Sequence, residues 1–161
     1  MHLGGTFEEI AATERGLWRG EMPETPFVLL GQQYLADPSR SVGNVHPVDA
    51  YAHVPAGYDG DATEAILDQI ERFAPGTRER IVGISTRSTA QIAGDNANSL
   101  GGDIVTGANT LRQLVFRPRA AVNPYATGVP GVFLCSAATP PGAGAHGMCG
   151  HLAARSALEK L

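Results

Sequence analysis

Residues 124–158 read PYATGVPGVFLCSAATPPGAGAHGMCGHLAARSAL, an apolar run followed by a turn rich in proline and glycine and then a run of small residues. This order predicts a strand over residues 132–135, a turn over residues 136–144 and a helix from residue 146 to residue 161. Small residues recur in the predicted helix at spacings of three and four, which permits close packing against a sheet. They are Gly147, Gly150, Ala153, Ala154 and Ala157.

The predicted turn spells G-x-G-x-x-G from Gly142 to Gly147, the pattern of a dinucleotide-binding loop. A Rossmann unit also needs a second parallel strand and an acidic residue about 20 positions further on. The sequence has only 14 residues after Gly147. We therefore do not expect this turn to begin a mononucleotide-binding fold.

The chemistry behind the glycine motif still suits a ligand. Glycines let the backbone approach a bound group closely, and the N-terminus of a helix presents N–H groups with a partial positive charge. An electron-rich group such as the N1/C2 carbonyl edge of a flavin matches this environment. Close packing of the helix against a strand would explain the same glycines without a ligand, and the motif alone leaves both interpretations open.

The C-terminal part of the sequence is also unusual in charge. Residues 120–154 contain no Asp, Glu, Lys or Arg over 35 positions, so we expect this stretch to be buried or to line a cavity. Six glycines and four prolines interrupt it. It is therefore not a membrane-spanning helix, which needs roughly 20 uninterrupted apolar residues.

The N-terminal part predicts a helix followed by a sheet. Thr6 and Glu9 form a capping-box pattern at the start of the helix. Residues 27–35 (FVLLGQQYL) and 48–54 (VDAYAHV) have the composition and alternation of strands. Two strands in succession predict an antiparallel sheet.

A second helix is predicted over residues 62–74, with Asp61 as its N-cap and Pro75-Gly76 at its end. Residues 81–86 (IVGIST) then favour an extended chain, and residues 94–107 form a loop rich in glycine, asparagine and aspartate. These elements place the chain in the α+β or α/β class.

The overall composition excludes several function classes. The chain has 161 residues, of which 43% are hydrophobic, enough for an ordinary globular core. Only 17% are charged and the net charge is −4, so we do not expect nucleic acid as a partner. The first residues carry neither a basic segment nor the apolar core of a signal peptide, and we expect a cytoplasmic location. Cys135 and Cys149 form no C-x-x-C pair, which argues against a zinc site or a redox dithiol.

The run PGVFLCSAATPPGAGAHGMCG at residues 130–150 resembles the closing motif of phytoene-dehydrogenase-like FAD oxidoreductases. Four upstream segments are also similar to that family, in particular to its branch near the pyridine nucleotide-disulphide oxidoreductase domain 2 proteins. They are HVP, TEAILDQIERFAPG, SLGGDI and LRQLVFRP, at residues 53–55, 63–76, 99–104 and 111–118. The resemblance implies an FAD cofactor and an apolar small-molecule substrate that passes a hydride to the flavin.

The same resemblance assigns parts of the sequence to a cofactor site. Residues 1–118 would belong to a substrate domain with an antiparallel sheet, and residues 119–161 to the closing strand, turn and helix of the FAD-binding domain. The ribityl-pyrophosphate would touch Cys135, Ser136, Ala137 and Thr139. The isoalloxazine ring would lie against Gly144, Ala145, His146, Gly147 and Met148.

The sequence resembles the last third of such an enzyme, and we expect the principal dinucleotide-binding unit to come from elsewhere. Three interpretations stay open: part of an FAD-dependent dehydrogenase or oxidase, a subunit of a split flavoenzyme that needs a dinucleotide-binding partner chain, or a non-catalytic remnant. The remnant would bind an apolar ligand or another protein. We expect the chain alone to be inactive, and to expose an apolar face that favours a homo-oligomer.

A few further side chains are candidates for function. Arg112 and Arg117, with Arg119 nearby, would hold an anionic substrate or the FAD phosphates, or they are solvated surface residues. Asp103 either orients a loop at the active site or is an ordinary turn residue. His53 is more readily a packed or surface histidine than a proton carrier. No residue is identified as catalytic, and hydrolase chemistry has no motif in its favour because a G-x-S-x-G elbow is absent.

Overall fold

The computed structural model describes residues 1–108 and 110–159, and the chain forms two compact units, Met1–Ala90 and Gln91–Leu161. The fold is mixed α+β, as the sequence predicts. The strands are β1 (His2–Leu3), β2 (Val28–Gly31) and β3 (Asp49–Ala52). The helices are α1 (Phe7–Trp18), α2 (Thr63–Phe73), α3 (Thr89–Asp95), α4 (Leu111–Phe116) and α5 (Met148–Leu158). The predicted boundary at residues 118/119 concerns the domains of a larger enzyme and stays a prediction.

The N-terminal unit contains a three-stranded antiparallel sheet in the order β1-β2-β3, which confirms the predicted antiparallel pairing. The register places Leu3 opposite Val28, and Val28 opposite Ala52. Both predicted strands are shorter than expected. The first stops at Gly31 because the next residues, Gln33–Leu35, turn into a 3-10 helix.

The core of the N-terminal unit lies between this sheet and α2. Leu3, Val28 and Ile70 are buried there, and Leu30, Ala52 and Ile66 pack around them. Ile66 and Ile70 are four residues apart, so they project from one face of α2 towards the strands. Full burial of an aliphatic side chain of this size stabilises a fold by about 1.5–3 kcal/mol.

Side-chain hydrogen bonds fix the N-terminal ends of α1 and α2. The predicted capping box is confirmed: Thr6 Oγ1 accepts from the Glu9 amide, and the Glu9 carboxylate accepts from the Thr6 amide. Asp61 accepts from the Thr63 amide at 2.8 Å, although the N-cap position itself is occupied by Ala62. The predicted start of α2 is therefore correct to within one residue.

Two short helices, on either side of the predicted loop at residues 94–107, are not predicted by the sequence analysis. Helix α3 runs through Thr89–Asp95 at the boundary of the units, and α4 spans Leu111–Phe116. Thr110 caps α4, since its Oγ1 accepts from the Gln113 amide at 3.2 Å. The residues between the two helices form turns and one 3-10 helix, Leu100–Gly102.

The predicted strand at residues 132–135 is wrong, because only a single bridge between Ala126 and Phe133 forms there. Two backbone hydrogen bonds flank the bridge, from the Leu134 amide to the Tyr125 oxygen and from the Thr127 amide to the Val132 oxygen. A strand needs a neighbouring strand of similar length, and the described residues of this unit provide none.

The predicted C-terminal helix is confirmed as α5, with a later start. Gly147 adopts a left-handed conformation, with φ at 66°, and serves as the N-cap. Helical geometry therefore begins at Met148 instead of residue 146. The helix ends at Leu158, and residues 160 and 161 of the prediction lie outside the described residues.

The expectation for residues 120–154 is that they are buried or line a cavity, and burial is wrong for many of them. Apolar side chains from this stretch are exposed to solvent, with Val122 fully exposed. The others are Val129, Val132, Leu134 and Met148. The described part of the chain does not cover them.

Within residues 1–108 and 110–159, no helix is both long enough and apolar enough to cross a membrane.

Candidate functional site

The glycine turn and the start of α5 surround a cavity of about 340 Å³ in the C-terminal unit. Its lining consists of Cys135, Ala137, Gly142, Gly144, His146, Gly147, Cys149 and Gly150. Five of these residues belong to the cofactor set that the sequence predicts: Cys135, Ala137, Gly144, His146 and Gly147. Residues that are separated by up to 12 positions in the sequence thus meet at one concave surface. Its volume lies at the low end of the roughly 300–1,000 Å³ typical of ligand sites.

The other four predicted residues lie beside this cavity without lining it. Ser136, Ala145 and Met148 are exposed neighbours of lining residues. Thr139 is completely buried beneath the turn. Its hydroxyl donates to the Ser136 carbonyl oxygen at 2.7 Å, so its side chain holds the turn together.

Local hydrogen bonds shape the segment from Ser136 to Gly142. Ser136 Oγ accepts from the Ala138 amide at 3.1 Å, and the Ser136 carbonyl oxygen accepts from the Thr139 amide at 2.9 Å. The Thr139 carbonyl oxygen then accepts from the Gly142 amide at 2.9 Å. Gly142 has a φ of 106°, a conformation that a side chain would strain. The turns of this segment therefore require a glycine at position 142.

The first residues of α5 lie beside the same cavity. The Met148 amide donates to His146 Nδ1 at 3.0 Å, which satisfies the first N–H of the helix. Within the described residues, the next two amides, those of Cys149 and Gly150, have no hydrogen-bond partner. Both residues line the cavity. Free amides at a helix N-terminus carry partial positive charge and suit an acceptor atom or an anionic group.

Two cysteines border the cavity in different environments. Cys135 is exposed, and Cys149 is buried with 8% of its surface accessible. The Cys149 thiol lies 3.2 Å from the Gly142 oxygen and 3.4 Å from the Thr139 oxygen, so its single S–H is shared between these two acceptors. Cys149 therefore links the first turn of α5 to the glycine turn.

Tyr125 and Asn123 support the glycine turn and α5 through hydrogen bonds, a role that the sequence analysis does not predict. The Tyr125 hydroxyl donates to the Pro140 oxygen at 3.1 Å, and burial raises the pKa of the Tyr125 phenol. Asn123 Oδ1 accepts from the Tyr125 amide, and Asn123 Nδ2 donates to Ser156 Oγ on α5. Asparagine is a common turn residue because its side chain can bond the backbone two residues on, but nothing in the sequence indicates these distant partners.

The three arginines before the uncharged stretch have different surroundings. Arg117 is buried, with 2% of its surface accessible, and its guanidinium donates to three backbone carbonyl oxygens. Arg112 is exposed and lines a second cavity of about 460 Å³ beside α4. Arg119 donates to the Ala126 oxygen at 2.7 Å. Arg117 is thus not a solvated surface residue, whereas Arg112 is accessible to an anion.

The remaining candidates have local partners. Asp103 accepts from the Val105 amide at 2.8 Å and from the Gly107 amide at 2.6 Å, so both carboxylate oxygens stabilise its turn. His53 lies in the N-terminal unit, with Nδ1 at 2.9 Å from a Glu14 carboxylate oxygen. About half of the His53 side chain is exposed. A role for Asp103 at an active site stays a prediction.

Comparison with known proteins gives one relative. An alignment over 102 residues, which covers 61% of this chain, is 32% identical to pyridine nucleotide-disulfide oxidoreductase domain-containing protein 2 of Rattus norvegicus. The matched stretch spans 17% of the length of that protein. No protein-family model matches the chain, and no solved structure matches it significantly. The chain is thus distantly similar to part of an oxidoreductase-domain protein.

Proposed function

We propose that this chain forms one wall of the cofactor site of an FAD-dependent oxidoreductase of the phytoene-dehydrogenase-like kind. The cavity at the glycine turn and the α5 N-terminus receives the isoalloxazine ring. The observation that carries the proposal is the meeting of five predicted cofactor residues and two free helix amides at one concave surface. The distant similarity to an oxidoreductase-domain protein supports the same class of chemistry.

The residues of the cavity fit a flat aromatic ring system. Gly147 has open space where a Cβ atom would lie, so a planar ligand can approach the backbone closely there. The free amides of Cys149 and Gly150 would donate hydrogen bonds to the carbonyl edge of the ring. Cys135, Ser136 and Ala137 continue the same surface and would lie along the ribityl chain.

The size of the cavity also fits the proposal. A volume of about 340 Å³ is at the low end of the range for ligand sites, so we assign only the ring end of FAD to it. Another segment of the enzyme would therefore hold the adenosine half. The only sheet among the described residues is antiparallel, so the parallel βαβ unit that binds adenosine in dinucleotide folds would lie outside them.

A bound flavin would accept a hydride from an apolar C–H substrate at N5, with negative charge developing at the N1/C2 edge. The amides of Cys149 and Gly150, at the positive end of the α5 dipole, would stabilise that charge. They are fixed in the backbone, so they need no rearrangement during the reaction. The Cys149 thiol has a structural role, since it donates to backbone carbonyl oxygens.

The exposed apolar residues of the C-terminal unit favour a partner, as a subunit of a split flavoenzyme would require. Leu111, Val115 and Val122 are all more than 60% exposed, and large exposed apolar surfaces mark docking sites in soluble proteins. The partner would be a dinucleotide-binding domain, of the same polypeptide or of a second chain. Without it, we expect the chain to self-associate in sedimentation experiments.

The visible spectrum of the purified chain tests the proposal. We expect the chain to be colourless as purified, because half a site loses most of the affinity that the pyrophosphate and adenosine contacts supply. FAD added in excess should bind weakly and perturb its visible absorption bands, whereas ADP at the same concentration should not compete. An FAD spectrum that is identical with and without the chain at millimolar FAD would overturn the proposal.

A further inference from the structure

We infer that Arg117 is a positioning residue for the cavity and does not hold a cofactor phosphate. The buried guanidinium fixes the backbone of the glycine turn, and the turn in turn shapes the surface that a ligand would meet. The inference rests on the proposed function for the identity of that ligand. Its geometric part, the clamping of the turn, is independent of any ligand.

Three hydrogen bonds carry the inference. Arg117 Nε donates to the Gln113 carbonyl oxygen at 3.1 Å, Nη1 to the Ala137 oxygen at 3.1 Å, and Nη2 to the Ala108 oxygen at 3.3 Å. Two of these acceptors lie shortly before Arg117 in the sequence, and the third, Ala137, lies 20 residues after it. A planar guanidinium presents N–H groups in several fixed directions at once, which a lysine ammonium on a flexible stem does not.

Two of the residues that Arg117 contacts line the cavity. Ala137 is one, through the hydrogen bond to Nη1. Gly142 is the other: a Cβ atom placed on Gly142 would lie only 2.6 Å from Nη1. The guanidinium thus packs directly against the glycine, and a side chain at position 142 would have to displace Nη1 as well as strain the backbone.

The turn is held by two independent groups. Arg117 contacts it at Ala137 and Gly142, and the Cys149 thiol donates to the carbonyl oxygens of Thr139 and Gly142. The guanidinium of Arg117 donates hydrogen bonds to backbone carbonyl oxygens, one of them in the turn. We therefore assign it to support of the cavity wall and not to contact with a phosphate. Loss of Arg117 should free the turn and uncover Cys149.

Thiol labelling measures that opening without any ligand. In a Cys135→Ser background, Cys149 is the only thiol, and an aromatic disulfide reagent should label it slowly because it is buried. Adding Arg117→Gln should accelerate labelling by about tenfold or more, since charge-assisted hydrogen bonds are lost from a local opening equilibrium. Arg117→Lys should accelerate labelling less than Arg117→Gln does. Arg155 is exposed and also lies in the C-terminal unit, so Arg155→Gln should be labelled at the parental rate.

Circular dichroism spectra of all variants establish that acceleration reflects local opening in a folded chain. Equal labelling rates in the parent and in folded Arg117→Gln would overturn the inference. If Arg117→Gln unfolds globally, the test uses Arg117→Lys instead. A folded Arg117→Lys chain that is labelled at the parental rate would then overturn the inference.

Flavin binding separates positioning from phosphate contact. Riboflavin lacks the phosphate that FMN carries, so a positioning role predicts that Arg117→Lys weakens both ligands by the same factor. A loss confined to FMN, with Cys149 still protected, would make Arg117 a phosphate ligand and overturn the inference. If the parent chain binds neither flavin, the proposed function fails, while the labelling rates still decide whether Arg117 clamps the turn.

Discussion

The thiol of Cys149 donates a hydrogen bond to the carbonyl oxygen of Gly142, with 3.2 Å between Sγ and the oxygen. This contact joins the first turn of α5 to the glycine turn, the two elements that form the cavity. Because the thiol is buried, its donor role cannot pass readily to solvent water. Cys149 is therefore expected to stabilise the cavity wall.

Two substitutions at Cys149 distinguish the contribution of its hydrogen bond to stability from that of its side-chain volume. Cys149→Ala should lower the free energy of unfolding by about 1–3 kcal/mol, because the Gly142 oxygen loses a donor in a buried place. Cys149→Ser keeps a donor and should retain more of that stability. Urea denaturation followed by circular dichroism measures both. Cys135→Ala, at the exposed thiol, should stay within about 0.5 kcal/mol of the parent; an equal loss at both cysteines would contradict the assigned role.

A side chain at Gly147 should block the cavity without unfolding the chain. Gly147 has a left-handed φ of 66° and open space where a Cβ atom would lie, and asparagine tolerates this conformation better than other residues. Gly147→Asn should therefore fold but bind FMN about tenfold more weakly or worse, since a filled site costs roughly 1–3 kcal/mol. Gly131→Asn is the matched control, with a φ of 77° outside the cavity lining. If Gly147→Asn bound FMN with unchanged affinity, the proposed position of the isoalloxazine ring would be wrong.

The Glu71 carboxylate should make the N-terminal unit sensitive to acid. Hydrogen bonds from the Arg78 and Gly76 amides hold the pKa of Glu71 below its ordinary value near 4.5. The stability that this carboxylate contributes is thus fully present above pH 4.5 and is lost as the pH falls through the lowered pKa.

Glu71→Gln should consequently melt at a lower temperature than the parent at pH 7, and the two should converge at low pH. Thermal melts followed by circular dichroism at several pH values give this comparison. Glu24→Gln, at an exposed carboxylate, is the control. A constant difference between parent and Glu71→Gln from pH 7 down to about pH 3 would argue against the charged carboxylate as the cause.

Ile70 should carry much of the stability of the N-terminal unit. It is 8% exposed and packs in the cluster with Leu3 and Val28. Ile70→Ala should cost about 2–5 kcal/mol, the range for truncating a buried isoleucine. Ile84→Ala is the control, because Ile84 is 57% exposed and should lose no more than about 0.5 kcal/mol. Similar losses at both positions, measured by urea denaturation, would show that the buried cluster is not the main source of stability.

The helices that sequence reasoning located correctly are specified by neighbouring residues. The capping box of Thr6 and Glu9, and the apolar spacing of Ile66 and Ile70, lie within single helical turns. The strand predicted at residues 132–135 failed because strand formation depends on a distant partner. Its apolar composition is real, but the described residues do not provide the pairing.

The candidate site divides in the same way. The glycines that open the cavity lie within six consecutive residues, so the motif predicts the turn they form. Arg117 and Ala137 are 20 residues apart, and Tyr125 and Pro140 are 15 apart. Such contacts depend on tertiary packing, and sequence spacing does not reveal them.

Amide NMR of the uniformly ¹⁵N-labelled chain during titration with FMN tests the flavin site most directly, because it detects binding even at millimolar dissociation constants and identifies the residues involved. We expect saturable shifts for the amides of Gly142, Gly144, Gly147, Cys149 and Gly150. The core amides of Leu3, Val28 and Ile70 should not move. An absence of shifts in the glycine turn and at the start of α5, or shifts confined to the N-terminal unit, would contradict the proposed flavin site.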